Sequence, residues 1–161
     1  GRAKDIIIRG GHNIAPAEIE EALAGHDAVA FAGAIGQPDP HAGEVPCAFV
    51  ELVEGADVTV DDLLAYAKQH IHERAAHPKH LEIMGELPKT AVGKIFKPDL
   101  RKSAIARVYN AALAETGATV TEVTEDKKRG LVAHIAKNGE VSDEEIGKAL
   151  NAYTVPWEVA A

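Results

Sequence analysis

Leu87-Pro88-Lys89-Thr90-Ala91-Val92-Gly93-Lys94 (residues 87–94) follows a short alternating segment, in which Leu81 and Ile83 stand between polar neighbours, and precedes a helix that opens at Pro98 or Asp99. The alternation predicts a strand, and the Pro, Thr and Gly predict a loop leaving it. A Gly directly before a Lys lets the backbone approach a ligand closely while a compact ammonium reaches a phosphate or carboxylate. A GxxxxGK[ST] phosphate loop is excluded, since that pattern needs Gly at 88 and Ser or Thr at 95, where this chain has Pro88 and Ile95. Residue chemistry alone leaves Lys94 as either an anion-contacting lysine on a flexible loop or an ordinary surface lysine.

The surroundings of Lys94 are basic. Lys89, Lys94, Lys97, Arg101, Lys102 and Arg107 face one acid, Asp99, within residues 89–107, although the whole chain carries a net charge of −8. Such a segment suits a phosphorylated ligand, or is one solvated helix face. The overall acidity argues against a nucleic-acid or anionic-membrane partner.

Upstream, Asp5-Ile6-Ile7-Ile8-Arg9 reads as a strand that turns at Gly10-Gly11. Pro16 and Glu18 then open a helix whose apolar face is Ile19, Ala22 and Leu23, with a weak cap at Ala15 and a stop at Gly25. Residues 28–35 and 46–53 read as sheet strands punctuated by Gly36-Gln37-Pro38-Asp39-Pro40. Thr59 and Asp62 form a capping box for a helix ending near His72. Downstream, the helix from Pro98 is expected to reach Thr116 with Gly117 as its stop. Alternation at Thr119, Thr121 and Val123, a charged turn, and apolar residues 131–135 make a hairpin. Ser142-Asp143-Glu144-Glu145 caps a last helix striped by Ile146, Ala149, Leu150 and Tyr153.

The order of elements indicates an α+β fold: a small mixed three-stranded sheet with flanking helices, an N-terminal two-stranded hairpin, and an appended hairpin-helix extension. The expected division is 1–117 for the domain and 118–161 for the extension. With 161 residues the chain can bury a real core, and it shows no repeat at the periods of solenoids or propellers. No apolar run approaches the roughly 20 residues of a membrane span. The start at Gly1, without Met or leader, suggests a fragment. Cys47, the single cysteine, lies in an apolar run and reads as a buried thiol rather than a nucleophile. His70, His72, His77 and His80 lie close in sequence, but His70 and His72 diverge by about 200° on a helix and no HExxH-like face exists, which argues against a metal site.

Two stretches carry a family resemblance. Residues 1–14 (GRAKDIIIRGGHNI) with Pro16-Ala17-Glu18-Ile19-Glu20 resemble the hinge motif of the acyl-adenylate-forming enzymes: acyl-CoA synthetases, peptide-synthetase adenylation domains and firefly-type luciferases. Lys89-Thr90-Ala91-Val92-Gly93-Lys94 resembles their last motif, PKTxxGK. The resemblance covers residues 1 to about 110 and is closest in kind to an acid:CoA ligase of fatty acid metabolism. It implies the mobile C-terminal domain of a cytoplasmic enzyme that uses ATP and CoA as substrates, with Mg²⁺ held by the missing N-terminal adenylation domain.

The same resemblance implies roles for single residues. Lys94 would be the catalytic lysine, Lys4 the hinge and Arg2 a ribose contact of the nucleotide. Gly10, Gly11 and His12 would line the pantetheine path, and no residue would bind metal. Residues 74–79 depart from the family pattern by lacking a basic residue two places before Pro78, which puts a CoA-phosphate contact there in doubt, with Arg74 and Lys79 as substitutes. The alternatives are an adenylation domain serving a carrier protein, although no phosphopantetheine attachment motif follows Gly117, and an inactive stand-alone interaction module. The extension is also a possible homo-oligomer contact.

Overall fold

The computed structural model describes residues 5–160. The chain opens with a hairpin of β1 (Ile7–Arg9) and β2 (His12–Ile14), registered Arg9↔His12. Its two-residue turn needs positive φ at both positions, and Gly10 (+53°) and Gly11 (+90°) supply it. Helix α1 (Pro16–Ala24) follows, with Pro16 in its first turn and no side-chain cap at Ala15. Gly25 ends α1 in a right-handed conformation (φ −72°) rather than a left-handed one. A side chain there would meet the Tyr66 hydroxyl, 3.2 Å from the Cβ position.

The main sheet is built on β4 (Gly43–Leu52), which pairs antiparallel with β3 (Val29–Asp39) along one edge. On its other edge it meets β1 at Gly43 and, in parallel, β5 (His80–Met84). Helix α2 (Val60–His70), capped by the Thr59–Asp62 box, and a 3₁₀ turn (Arg74–Ala76) make the crossover. The strand β3 runs through Gly36-Gln37-Pro38-Asp39, where the sequence suggested a break. Pro38 is tolerated because β3 is an edge strand. Helix α3 (Lys97–Ala112) stops four residues before Thr116, and the chain turns once more before Gly117 (φ +83°).

Beyond it lie β6 (Ala118–Asp126), β7 (Gly130–Lys137), α4 (Asp143–Leu150) and β8 (Trp157–Val159). The extension is therefore a hairpin, a helix and a third strand, since β8 pairs parallel with β7 and carries Trp157 into the sheet.

Alternation along the strands separates two cores. Ala34, Ala48 and Val50 face α1 and α2, packed with Ile7, Ile14, Ile19, Leu23 and Leu63. Ile35, Cys47 and Phe49 face the other way, onto Leu100 and Ala104 of α3. The remaining face of α3, with Ile105 and Tyr109, and Leu113 at its end pack on Val123, Ile135, Ile146 and Leu150.

The unit β6-β7-α4-β8 repeats the order and pairing senses of β3-β4-α2-β5. In both hairpins an aspartate, Asp39 or Asp126, accepts from the backbone N–H groups two and three residues on, before a positive-φ glycine, Gly43 or Gly130. In both units the helix has a capping box preceded by valine, Val58-Thr59 or Val141-Ser142.

Candidate functional site

Lys94 sits on a tight hairpin between β5 and α3. Leu87, 1% exposed, pins its first strand, and the Phe96 N–H donates to the Pro88 carbonyl at 2.8 Å. Within the turn the Thr90 N–H donates to the Lys94 carbonyl at 2.6 Å and the Gly93 N–H to the Thr90 carbonyl at 2.9 Å. The Lys94 N–H donates to Thr90 Oγ1 at 3.2 Å. Gly93 closes the turn at φ +84°. The loop expected from the sequence is a hydrogen-bonded hairpin, on which the Lys94 side chain is exposed.

The basic segment is largely neutralised from other elements. Lys89 Nζ donates to Glu51 Oε1 at 2.8 Å and lies 4.3 Å from the Phe31 ring centroid. Glu51 also accepts the Leu87 N–H at 2.9 Å, and these two bonds, the lysine's first, hold its carboxyl below the usual range. Lys97 Nζ pairs with Glu20 Oε2 at 2.9 Å, and that oxygen also accepts the Ala34 N–H. Arg101 Nη2 donates to Asp5 Oδ1 at 2.8 Å, and Arg107 Nη2 to Gln37 Oε1 at 2.6 Å. Of the six basic residues only Lys94 and Lys102 form no ion pair or side-chain hydrogen bond with a described residue. Lys94 lines a cleft of about 400 Å³ with Asp5, Thr90, Phe96, Lys97 and Arg101.

A second concavity lies elsewhere on the molecule. Gly10 and His12 line a cleft of about 580 Å³ with Arg9, Glu73 and Arg74. Arg9 and Arg74 continue into a neighbouring cleft of about 360 Å³ with Lys68, His77 and Lys79. Arg9 is held there by donation of Nη1 to the Ala75 carbonyl at 2.9 Å. The structure does not bring Gly10 and His12 together with Lys94, as their clefts share no lining residue. Arg9 and Lys68 were not singled out by the sequence, because one lies on a strand and the other on a helix, in no common motif. Arg2 and Lys4 lie outside the described residues.

The histidines are engaged singly. His70 Nδ1 is 2.9 Å from the Tyr66 carbonyl and its ring stacks on Tyr66, while His77 Nε2 is 2.8 Å from the Ile71 carbonyl. Among the described residues no three side chains of metal-binding type converge. Cys47 is fully buried, with Arg107 Nη2 at 3.7 Å, and burial pushes its thiol up to about 12 against the pull of the guanidinium.

Residues 18–94 match the model of the AMP-binding enzyme C-terminal domain, whose last matched residue is Lys94. The chain is 44% identical to a marinolic acid–CoA ligase of a Pseudoalteromonas species over 84% of its own length and 21% of that protein. That share of the chain exceeds residues 1–117, so the similarity runs past Gly117. A long-chain-fatty-acid–CoA ligase of Bacillus subtilis is 47% identical over 60% of the chain and 17% of the relative. The crystal structure of a Brucella canis acyl-CoA synthetase superposes with a TM-score of 0.58 at 38% identity, over 65% of this chain and 20% of that one. The chain spans about a fifth of the length of these relatives.

Proposed function

Because residues 18–94 form an AMP-binding enzyme C-terminal domain, we propose that the chain is the small mobile domain of an ATP-dependent acid:CoA ligase, with residues 118–161 an added unit packed on α3. The large domain binds ATP and the acid. A carboxylate oxygen of the acid attacks the α-phosphorus, the bond to the β-phosphate oxygen breaks, and acyl-AMP and pyrophosphate form. The CoA thiol, losing its proton, then adds to the acyl carbon and AMP leaves with the bonding pair.

Lys94 serves the first step. Two anions converge as the carboxylate nears the phosphate, and a fixed ammonium between them stabilises the charge that accumulates in the transition state. The observation that carries this reading is the pairing of the basic segment: Lys89, Lys97, Arg101 and Arg107 are each bonded internally, whereas Lys94 is presented on a rigid hairpin over an open cleft.

Gly10 and His12, which line the other cleft, serve the second step together with Gly11 of the same turn, with Lys4 as the pivot between the two arrangements and Arg2 on the nucleotide ribose. CoA as acceptor is favoured by the adjoining cluster of Arg9, Lys68, Arg74 and Lys79, which suits its phosphates. The Mg²⁺ that accompanies ATP is assigned to the large domain. A cytoplasmic setting suits these substrates, and no helix among the described residues is long and apolar enough to cross a membrane.

The test is Lys94→Ala in the complete enzyme. Pyrophosphate release is expected to fall by about 10²–10³, with much less effect on thioester formation from supplied acyl-AMP. Equal loss in both half-reactions, with folding unchanged, would sink the assignment.

A further inference from the structure

We propose that Arg101 is a positioning residue: by holding Asp5 it fixes the domain-side end of the pivot, so that rotation is confined to Lys4 and the chain before it. This rests on the reading above, in which Lys4 is the hinge of an alternating domain.

Asp5 and Arg101 stand 96 residues apart and meet at 2.8 Å, with side chains 23% and 28% exposed. Ladder pairing begins only at Ile7, which is 1% exposed and packed in the core, whereas Ile6 is 36% exposed. The bond to Arg101 is the one side-chain tether that Asp5 makes to a described residue.

The other end of the tether is rigid. Leu100 and Ala104, each 1% exposed, seat α3 under the sheet, and Lys97 ties its first turn to Glu20. The Lys94 hairpin runs directly into this turn, and Asp5, Lys94 and Arg101 line one cleft. The block that carries the candidate catalytic lysine therefore also grips the residue beside the pivot.

The consequence follows from chain geometry. Each unrestrained residue adds two soft dihedrals, so freeing positions 5 and 6 would spread the domain over poses that do not aim Lys94 or the Gly10–Gly11 turn at their targets. The rate of each half-reaction scales with the fraction of molecules in its competent pose. Arginine suits such a clamp, because its planar fork loses less freedom on bonding than an ammonium.

Two measurements test the clamp. In the 161-residue chain, amide hydrogen exchange at Ile6 should quicken in Arg101→Gln while α3 stays protected; an unchanged Ile6 would overturn the proposal. In the complete enzyme, Asp5→Asn and Arg101→Gln should each lower both half-reactions by the same factor, about threefold to tenfold, without a matching fall in Tm. The exchanged pair, Asp5→Arg with Arg101→Asp, should restore both.

Loss of pyrophosphate release alone would make Arg101 a phosphate contact and overturn the clamp. Unchanged kinetics in Arg101→Gln beside a Lys94→Ala enzyme that no longer adenylates would overturn it while leaving the domain reading intact. A Lys94→Ala enzyme that adenylates normally would remove that reading, and the clamp's role with it.

Discussion

The Tyr109 hydroxyl donates to the Val155 carbonyl at 2.6 Å, joining the last turn of α3 to the approach to β8 across 46 residues of sequence. Tyr109 is wholly buried and its ring lies 5.2 Å from that of Tyr153. Burial raises its phenol above the ordinary range, so it remains a donor at any physiological pH. Tyr109→Phe would keep the packing and strand an acceptor. The expected cost is about 1–3 kcal/mol, read as a lower denaturation midpoint with earlier exchange in 157–159. An unchanged midpoint would mean that α3 and the extension are held by apolar contact alone.

Cys47 provides a pH-dependent signature. Its ordinary value of 9.0 is raised to about 12 by burial, so the native thiol stays protonated where an unfolded one ionises. The unfolded chain then binds fewer protons than the native one between these values. The stability gained from a neutral thiol is complete below pH 9.0 and declines as pH rises toward 12. Denaturation midpoints should fall more steeply over that window for the wild type than for Cys47→Ala. At pH 8 iodoacetamide should leave the native thiol unmodified and label it in denaturant; rapid native labelling would contradict the buried assignment.

Gly93 separates backbone geometry from space. A Cβ there meets nothing within 4 Å, yet the residue sits at φ +84°. Gly93→Ala should therefore cost only the left-handed penalty, about 1–2 kcal/mol, and the fold should survive. If the hairpin aims Lys94, pyrophosphate release in the complete enzyme should drop by more than that loss of stability explains. A variant with a lower Tm and normal adenylation would show that the turn supports the fold and does not aim the lysine.

What could be read from sequence was local. The capping boxes at Thr59 and Ser142, the Gly10-Gly11 turn and the helix-opening prolines each involve residues within four positions of one another, so chain spacing is enough. The continuation of β3 through Pro38 depends on its being an edge strand, and β8 depends on the parallel groove left along β7. Both are properties of the assembled sheet. The repeat of the ββαβ unit escaped detection because it is carried by two turn residues, one cap and a buried stripe, scattered among unrelated neighbours. Lys94 could be picked out as a candidate from its motif, whereas the partners that neutralise its neighbours, Glu51, Glu20 and Asp5, come from distant segments.

That last point yields a comparison within one segment. Lys94, Lys97 and Lys102 lie within nine residues, so removing any one changes the local charge equally, and a purely electrostatic role for the basic segment predicts equal effects on the enzyme. The structure predicts three different outcomes. Lys97 is paired with Glu20 and both side chains are less than a quarter exposed, so Lys97→Ala should cost roughly 0.5–1 kcal/mol of stability. Its activity should follow only the loss of folded protein. Lys102 is half-buried and does not line the Lys94 cleft, and Lys102→Ala should leave both stability and half-reactions within about twofold of wild type. Lys94 is exposed on a hairpin held by backbone bonds, so Lys94→Ala should leave the Tm unchanged and remove adenylation. Denaturation midpoints and pyrophosphate release measured on the three variants decide the matter. Similar activity losses at 94 and 102 would return the whole segment to a diffuse anion-attracting role, because only a positioned ammonium distinguishes two lysines of equal charge.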